Sequence, residues 1–303
     1  MQRYYSYNQY LREKFGCKMY KLSLSISDTC PNRDGSRGSG GCIFCSEGGS
    51  GDFAASRFKS IPQQIEEAKE RVCDKNRGGK YIAYFQSFTS TYMPPHKLRE
   101  HLISAAEHPD IAAISVATRA DCLGNEIIEV LEECSRLVPI TVEMGLQTVH
   151  DKTAQLINRC CELCEYENAL SRLKKAGISV VYHIILGLPF ETEDMMLETV
   201  RYVADSGADG IKLQLLHILK DTVLNKMYQQ GEFQALSREQ YFSLLSRAIE
   251  ILPPDMVIHR LTGDGPKKLL VAPLWSADKK GVLNSLNRYF EENDVVQGSR
   301  YKC

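Results

Sequence analysis

The stretch Cys30-Pro-Asn-Arg-Asp-Gly-Ser-Arg-Gly-Ser-Gly-Gly-Cys42-Ile-Phe-Cys45 carries three thiols, and the last two are spaced C-x2-C. Cysteine thiolates are soft ligands that suit zinc or an iron–sulfur cluster. The glycines at positions 38, 40 and 41 allow the loop to fold back, so that the third thiol can reach the other two. An alternating apolar segment, Lys21–Ser27, runs directly into this stretch and predicts a strand. We therefore expect a metal site at the C-terminal end of a strand.

The cysteine content and the start of the chain bear on the compartment. The chain of 303 residues contains 11 cysteines, and its polar, aromatic start does not resemble a signal peptide. No apolar run approaches the ~20 residues of a membrane span. We therefore expect a cytoplasmic protein with no membrane contact, whose thiols serve metals or catalysis rather than disulfides. Cys73, Cys122 and Cys134 lie in or beside predicted helices, and we interpret them as small buried hydrophobic residues.

Apolar segments of strand length alternate with segments of helical periodicity over the first 220 residues. Strands are predicted at Lys21–Ser27, Tyr81–Phe85, Ile111–Ala117, Ile140–Met144, Ser179–Leu186 and Gly210–Leu216. Continuously apolar strands such as Ser179–Leu186 indicate a parallel sheet covered by helices. Polar residues follow each strand, at the face where β/α barrels carry their active sites. The predicted fold class is α/β, a partial (β/α)6 TIM-like barrel with a C-terminal α/β extension.

Three regions are expected along the chain. Residues 1–20 contain an N-terminal helix at 3–15, residues 21–220 form the barrel with the thiol loop at 30–45, and residues 221–303 form the extension. The extension is predicted to contain a short strand at Val257–Leu261 and a helix at Gly281–Asn293. The barrel helices are predicted at Ile61–Asn76, His96–Glu107, Asn125–Ser135, His150–Ile157, Glu165–Ala176 and Glu191–Ser206.

The thiol stretch and the motifs after the later strands resemble the radical S-adenosylmethionine (SAM) superfamily over about residues 15–290. The closest resemblance is to the branch that contains the catalytic subunit of Elongator, and within it to the stand-alone bacterial YhcC/YtqA-like proteins. The usual C-x3-C-x2-C motif is lengthened here to C-x11-C-x2-C, which is typical of that branch. The resemblance implies a TIM-like radical SAM barrel.

The resemblance also implies the cofactors. Cys30, Cys42 and Cys45 would hold a [4Fe–4S] cluster, which leaves one iron open for the amino and carboxylate groups of SAM. In this family the reduced cluster passes one electron to SAM, and the 5′-deoxyadenosyl radical that forms abstracts hydrogen from the substrate. An electron donor such as a flavodoxin or a ferredoxin would be a partner.

Several SAM-binding positions carry over from the resemblance. Phe44 corresponds to the aromatic residue that packs near adenine, and Gln86 stands in the place of the SAM-amino motif, without its glycine-rich form. Arg119 lies in Ser115–Asp121, which resembles the Elongator-type E-T-R-P-D segment. That segment departs from the family at Ala117, where a carboxylate often helps to bind SAM.

The fourth- and fifth-strand motifs carry over in the same way. Glu143 and Gln147 match an E-x-G-x-Q motif, with Gln147 placed for the ribose hydroxyls, although a satisfied polar pair at a strand end is the alternative. Arg159 resembles the arginine that pairs with the SAM carboxylate, a role that suits its bidentate guanidinium. His183 and Gly187 match the motif whose backbone holds adenine, although His183 also fits a hydrogen-bonded core histidine.

The segment after the sixth strand is expected to face substrate. His217 and Lys220 fall in a match to L-H-x-L-K-x-T, and a solvated lysine is the alternative at position 220. Arg260-Leu-Thr-Gly-Asp264 resembles a C-terminal segment of the stand-alone subgroup. The cysteines at 160, 161 and 164 replace a glycine and a histidine of relatives, and we interpret them as incidental rather than as a second cluster.

The Elongator-like resemblance implies modification of the C5 side chain of the wobble uridine of tRNA. No acetyltransferase domain follows the barrel, so a step on an already modified uridine, or one with a separate partner, fits better. The formal net charge of −1 argues against strong non-specific nucleic-acid affinity but not against a local basic patch. One alternative is a radical SAM enzyme for a small molecule, as in the coproporphyrinogen dehydrogenase relatives. Another is a non-catalytic, tRNA-binding zinc protein in which Cys17 is the fourth ligand.

Overall fold

The computed structural model describes residues 3–49, 51, 54–72, 79–263 and 265–302. Its nine strands are β1 (Tyr20–Leu24), β2 (Tyr81–Phe85), β3 (Ile111–Thr118), β4 (Ile140–Gln147), β5 (Ser179–Leu186), β6 (Gly210–Leu215), β7 (Ile218–Leu219), β8 (Val257–Arg260) and β9 (Leu270–Ala272). Its ten α-helices are α1 (Tyr7–Phe15), α2 (Ile61–Glu70), α3 (Pro95–Ala106), α4 (Asn125–Ser135), α5 (Asp151–Leu156), α6 (Leu163–Lys175), α7 (Glu193–Asp205), α8 (Val223–Gln229), α9 (Arg238–Glu250) and α10 (Lys279–Glu292). Cys73, Asn76 and Asp264, which entered the sequence predictions, lie outside the described residues.

Seven strands form one parallel sheet in the order β1-β2-β3-β4-β5-β6-β8. All five residues of β2 are buried, which is the pattern expected of a strand covered on both faces. The partial barrel predicted from the sequence is confirmed, and it has one strand more than the six expected. The added strand, Val257–Arg260, pairs with β6 and comes from the segment that we expected to belong to the extension. The division of the chain at residue 220 stays a prediction.

Local capping explains where the N-terminal helix begins. The helix was predicted from residue 3, but it begins at Tyr7 because the hydroxyl of Ser6 accepts a hydrogen bond from the backbone of Gln9. The backbone before Ser6 is not helical: Ser6 forms a parallel bridge with Ile258, beside β8. The predicted helix start at residue 3 is therefore wrong, and the N-terminal segment reaches the edge strand of the barrel instead.

Two strands end three residues away from their predicted ends, and three others differ by one residue. The first strand ends at Leu24 rather than at position 27, so the thiol loop begins earlier than expected. The fourth strand continues through Gly145 to Gln147 instead of ending at Met144. Because Gln147 adopts a positive φ of 67°, β4 ends in a sharp turn that directs this side chain back over its own strand.

A small second sheet packs against the thiol loop. Strands β7 and β9 pair antiparallel, and α8 follows β7. The backbone of Leu224 in α8 donates to the carbonyl of Ile43, and Ile43 donates to the carbonyl of Ile157. The C-terminal part of the chain thus fixes the loop that carries the thiols. In the described part of the chain, no helix is both long and apolar enough to cross a bilayer.

Candidate active site

The three predicted thiols lie in one pocket at the C-terminal ends of the strands. Cys30, Cys42 and Cys45 all line it. The fully buried Asn32 fixes the loop, because its side-chain amide donates to the carbonyls of Asn158 (2.5 Å) and Arg159 (3.0 Å). The same amide nitrogen lies 3.4 Å from the sulfur of Cys42. The connection after β4 therefore positions a thiol that is distant in the sequence.

The thiols differ in acidity. A hydrogen bond from the Cys45 thiol, together with the charge of Arg119 and against the cost of burial, lowers the pKa of Cys42 to about 7. Burial raises the pKa of Cys30, and donation to Cys42 together with burial raises the pKa of Cys45. Since the thiolate is the form that binds metal, Cys42 is the ligand best prepared for it.

Among the described residues, Cys17, Cys122 and Cys134 do not extend this set. Cys17 precedes β1 and packs with Leu11 and Met19, whereas the thiol loop follows the other end of that strand. A strand of five residues separates the two positions by roughly 16 Å. The zinc alternative therefore lacks the fourth thiolate that we considered for it. Cys122 and Cys134 are buried, as predicted.

The donor atoms of Cys160, Cys161 and Cys164 do not all lie within 4.8 Å of one another, and their interpretation as incidental stays a prediction. Within the described ranges, the only three metal-ligating side chains whose donor atoms lie within 4.8 Å of one another are Glu66, His108 and Asp110, and Lys69 already pairs with both carboxylates. Cys160 contacts the Asn158 side chain at 3.1 Å, Cys161 is buried, and Cys164 is exposed. The three sulfurs of the thiol loop also do not all lie within 4.8 Å of one another. In a tetrahedral zinc site with ~2.3 Å bonds, neighbouring sulfurs are ~3.8 Å apart, so this spacing is wider than that of a zinc site.

A buried carboxylate lies at the floor of the pocket. Glu143 on β4 is 1% exposed. It accepts hydrogen bonds from Lys21, Lys212, the Ser115 hydroxyl (2.7 Å) and His183 Nε2 (2.9 Å). Burial opposes ionisation, but the charges of Lys21 and Lys212 outweigh it and hold the pKa of the Glu143 carboxyl well below its usual range. Glu143 is therefore a charged, fully hydrogen-bonded anchor of the floor.

The same environment fixes the state of His183. Burial, with repulsion by Lys212, lowers its pKa to about 4, so the ring is neutral near pH 7. A neutral imidazole has one donor nitrogen, and the carboxylate of Glu143 requires it at Nε2. His183 therefore keeps Nδ1 as an acceptor at the pocket wall.

The side chain of Gln147 occupies space that is open because residue 145 is glycine. A Cβ atom at Gly145 would lie 2.6 Å from Gln147 Nε2, so only glycine permits this rotamer. The Gln147 Oε1 atom is buried without a hydrogen-bond partner among the described residues, although it borders the pocket. An unsatisfied buried acceptor is costly, and a hydroxyl donor of a bound molecule would satisfy it.

We expect Gly145→Ala to weaken SAM binding about ten-fold, because the new methyl group displaces Gln147 and one hydrogen bond of about 1.4 kcal/mol is lost. The measurement is the dissociation constant of SAM by anaerobic calorimetry on cluster-loaded protein. Gly124→Ala is the matched control, since a Cβ there meets nothing within 4 Å. Wild-type SAM affinity in Gly145→Ala would show that Gln147 is not a SAM ligand.

Two arginines of the pocket wall hold the turn between α5 and α6. Arg119 donates to the carbonyls of Arg159 (2.8 Å) and Cys160 (3.2 Å) and forms a two-point ion pair with Asp121. Arg159 is 2% exposed and donates to the carbonyls of Cys161, Leu146 and Thr148. Both arginines line the pocket, and their contact with SAM stays a prediction.

Of the other predicted site residues, some line the pockets and others do not. Phe44 and Gln86 line the thiol pocket, and His217 lines an adjoining pocket that shares both of them. Gly187 lies in neither pocket: it has φ 94°, and a Cβ added there would lie 3.1 Å from Leu236. Lys220 is exposed and also lies in neither pocket.

The sequence predictions missed the cations at the pocket floor. Lys21, Lys212 and Arg260 all lie at or next to it. A partial signal was present in the sequence, because Lys21 and Lys212 each stand beside apolar residues in a predicted strand, and a charge there is rarely buried without a partner.

Comparisons with known proteins agree with this geometry. A family model described as the Radical SAM superfamily matches residues 24–203, and one described as a Radical_SAM C-terminal domain matches residues 208–292. The protein YtqA of Bacillus subtilis (strain 168) is 45% identical over 300 residues, which cover 99% of this chain and 93% of YtqA. A tRNA uridine(34) acetyltransferase of Methanocaldococcus jannaschii is 26% identical over 202 residues, which cover 65% of this chain but only 35% of that protein.

Two solved structures share the fold. The archaeal Methanocaldococcus infernus Elp3 superposes with a TM-score of 0.69 and 17% identity, covering 92% of this chain and 64% of that chain. Coproporphyrinogen III oxidase (HemN) from Escherichia coli superposes with a TM-score of 0.51 and 16% identity, covering 80% of this chain and 54% of that chain. At these identities the likeness extends to the fold alone.

Proposed function

The chain belongs to the radical SAM superfamily, and from this premise we propose that it acts on the C5 side chain of the wobble uridine of tRNA. Radical SAM proteins use a [4Fe–4S] cluster and SAM, and the pocket residues fit that pair. Three thiols line one pocket, and the pKa of one of them, Cys42, is lowered. The buried Gln147 Oε1 has no hydrogen-bond donor among the described residues.

We assign roles to the pocket residues on this basis. Cys30, Cys42 and Cys45 would hold the cluster, and Phe44 and Gln147 would bind the adenosyl group. When bound, the reduced cluster and SAM supply a 5′-deoxyadenosyl radical that abstracts hydrogen from the substrate. A flavodoxin or a ferredoxin would supply the electron.

Further wall residues complete this assignment. Arg159 would meet the SAM carboxylate, and Gln86 would lie beside its amino group. Arg119 would act through the turn that it holds. Glu143 and the neutral His183 would keep the pocket floor rigid and its charge fixed, which helps to exclude water from the reacting groups.

We choose tRNA as the substrate because the chain is similar to a protein named tRNA uridine(34) acetyltransferase. The matched region covers 65% of this chain and about a third of that protein, so only the radical part of its chemistry is transferred. We therefore propose a hydrogen abstraction at the uridine side chain without acetyl transfer, on a uridine that is already modified or together with a separate partner.

The C-terminal edge of the sheet offers a surface for RNA. Phe58, on the loop after β1, is 87% exposed beside Arg57, and Phe190, on the loop after β5, is 63% exposed. Exposed aromatic rings beside arginine are a common platform for unpaired bases. A tRNA anticodon loop presents such bases, whereas a buried small-molecule site does not require these rings.

We expect tRNA from cells that lack this gene to show one changed wobble-uridine nucleoside, measured by mass spectrometry of digested tRNA. The gene should restore the profile, Gly124→Ala should also restore it, and Cys42→Ala should not. An unchanged profile would remove the tRNA proposal and leave a small-molecule substrate, as the fold of HemN allows. A basal SAM cleavage by the purified protein would in that case persist.

A further inference from the structure

The floor of the thiol pocket holds more basic than acidic side chains. Lys21, Lys212 and Arg260 are basic, and Glu143 is the carboxylate that pairs with Lys21 and Lys212. Among the described residues, Glu143 accepts hydrogen bonds from Lys21, Lys212, Ser115 and His183, and none from Arg260.

Arg260 is the cation that this arrangement leaves uncompensated. It ends β8, and its Nη1 lies 3.5 Å from Gln214 Oε1. Within the part of the chain that the structure describes, it forms no ion pair. Its guanidinium offers five donors in a planar fork, which suits a carboxylate or a phosphate.

Neighbouring titratable groups do not supply the missing negative charge. Burial lowers the pKa of His183 and of His259, which therefore stay neutral, and burial raises the pKa of the Tyr84 hydroxyl, which accepts a hydrogen bond from Lys212. Burial also lowers the pKa of Lys212 and of Lys21, and the guanidinium of Arg260 is left without a carboxylate partner among the described residues. A bound anion would supply that partner.

The position of Arg260 indicates where the anion would lie. The thiol pocket and the pocket that contains His217 share five residues, namely Phe44, Cys45, Gln86, Gln214 and Arg260. Gly263 and Gly265 line the second pocket and lie close to His217, because Cβ atoms at these two positions would each lie 2.7 Å from its ring. Arg260 therefore stands at the junction, where a substrate would meet the cofactor.

We propose that Arg260, supported by Lys212, binds an anionic group of the substrate, a carboxylate or a phosphate, at the junction of the two pockets. This inference depends on the proposed function in one respect, namely that the anion is part of the substrate. The SAM carboxylate is a different group, because Arg159 follows β4 whereas Arg260 ends β8, and two strands separate them in the sheet.

The test uses acetate and inorganic phosphate as probes on the cluster- and SAM-loaded enzyme, with binding measured by anaerobic calorimetry at constant ionic strength. We expect the wild type to bind at least one anion, Arg260→Met to raise its dissociation constant ten-fold or more, and Arg260→Lys to raise it less. Arg238→Gln, an exposed arginine on α9, is the matched control and should change nothing. Tighter acetate binding assigns a carboxylate and tighter phosphate binding assigns a phosphate.

Four outcomes would overturn the proposal, three of them in the wild type and Arg260→Met. The wild type could bind neither anion, Arg260→Met could bind both as the wild type does, or Arg260→Met could weaken SAM binding ten-fold while leaving anion binding unchanged. Asp264 lies outside the described residues, and Asp264→Asn tests whether its carboxylate compensates Arg260: anion binding gained only in that variant also overturns the proposal. An unchanged tRNA profile with Arg260-dependent anion binding would remove the tRNA function and leave this site standing.

Discussion

Cys42→Ala is expected to abolish cluster loading and reductive SAM cleavage. Cys42 has the lowest thiol pKa of the three, its sulfur receives the Cys45 hydrogen bond, and Asn32 holds its position. Removing a second-sphere group of a metal site already costs about 10–100-fold in affinity or activity, so loss of a direct ligand should exceed about 100-fold. The measurements are iron per protein after anaerobic reconstitution and the rate of 5′-deoxyadenosine formation.

Two control cysteines make this experiment specific. Cys17→Ala and Cys134→Ala remove thiols that lie on the far side of β1 and inside α4, and both should keep the iron content and the cleavage rate of the wild type. A Cys42→Ala protein with four irons and undiminished SAM cleavage would contradict the assignment of the cluster. Zinc instead of iron in the wild type, with loss of zinc in Cys17→Ala, would support the zinc alternative.

Local periodicity was sufficient to predict the barrel. Strands such as Tyr81–Phe85 and Ser179–Leu186 have the predicted bounds because each is a continuous apolar run closed by polar or glycine residues. The seventh strand was not assigned to the sheet, since Val257–Arg260 contains only four residues and ends in histidine and arginine. Its place beside β6 depends on contacts between distant segments, which a local pattern does not contain.

The thiols of the site could be predicted from the sequence, but the charged residues around Glu143 could not. The thiol spacing indicates a shared metal centre, and the structure brings the three sulfurs to one pocket. The cations that surround Glu143 could not be placed from the sequence, because Lys21 and Lys212 lie far apart in the chain and meet only when the sheet curls. The role of Gly187 stays a prediction: its motif was recognised, but the residue does not line the pocket, and a Cβ there would lie 3.1 Å from Leu236.

Glu143→Gln is expected to lower the free energy of unfolding by about 3–5 kcal/mol, the cost of leaving a buried charge without its partner. The amide keeps the shape of the carboxylate but cannot balance Lys21 and Lys212, which are held within hydrogen-bonding distance of it. The measurement is the shift of the denaturant midpoint between wild type and variant, with both proteins loaded alike. Glu133→Gln, which breaks an exposed pair with Arg99, should cost less than about 1 kcal/mol.

A second substitution and a change of pH can test whether the loss of stability comes from the lost charge of Glu143. Adding Lys212→Met to Glu143→Gln should recover part of the lost stability, because one uncompensated cation is removed. The pKa of the Glu143 carboxyl is lowered in the folded protein, so its ionised form stabilises the fold above the unfolded pKa of ~4.3 and loses that contribution as the pH falls towards the folded pKa. The difference between wild type and Glu143→Gln should therefore be largest near neutral pH and shrink below about pH 4. Equal midpoints at pH 7 would show that Glu143 is not the charge that holds the pocket floor together.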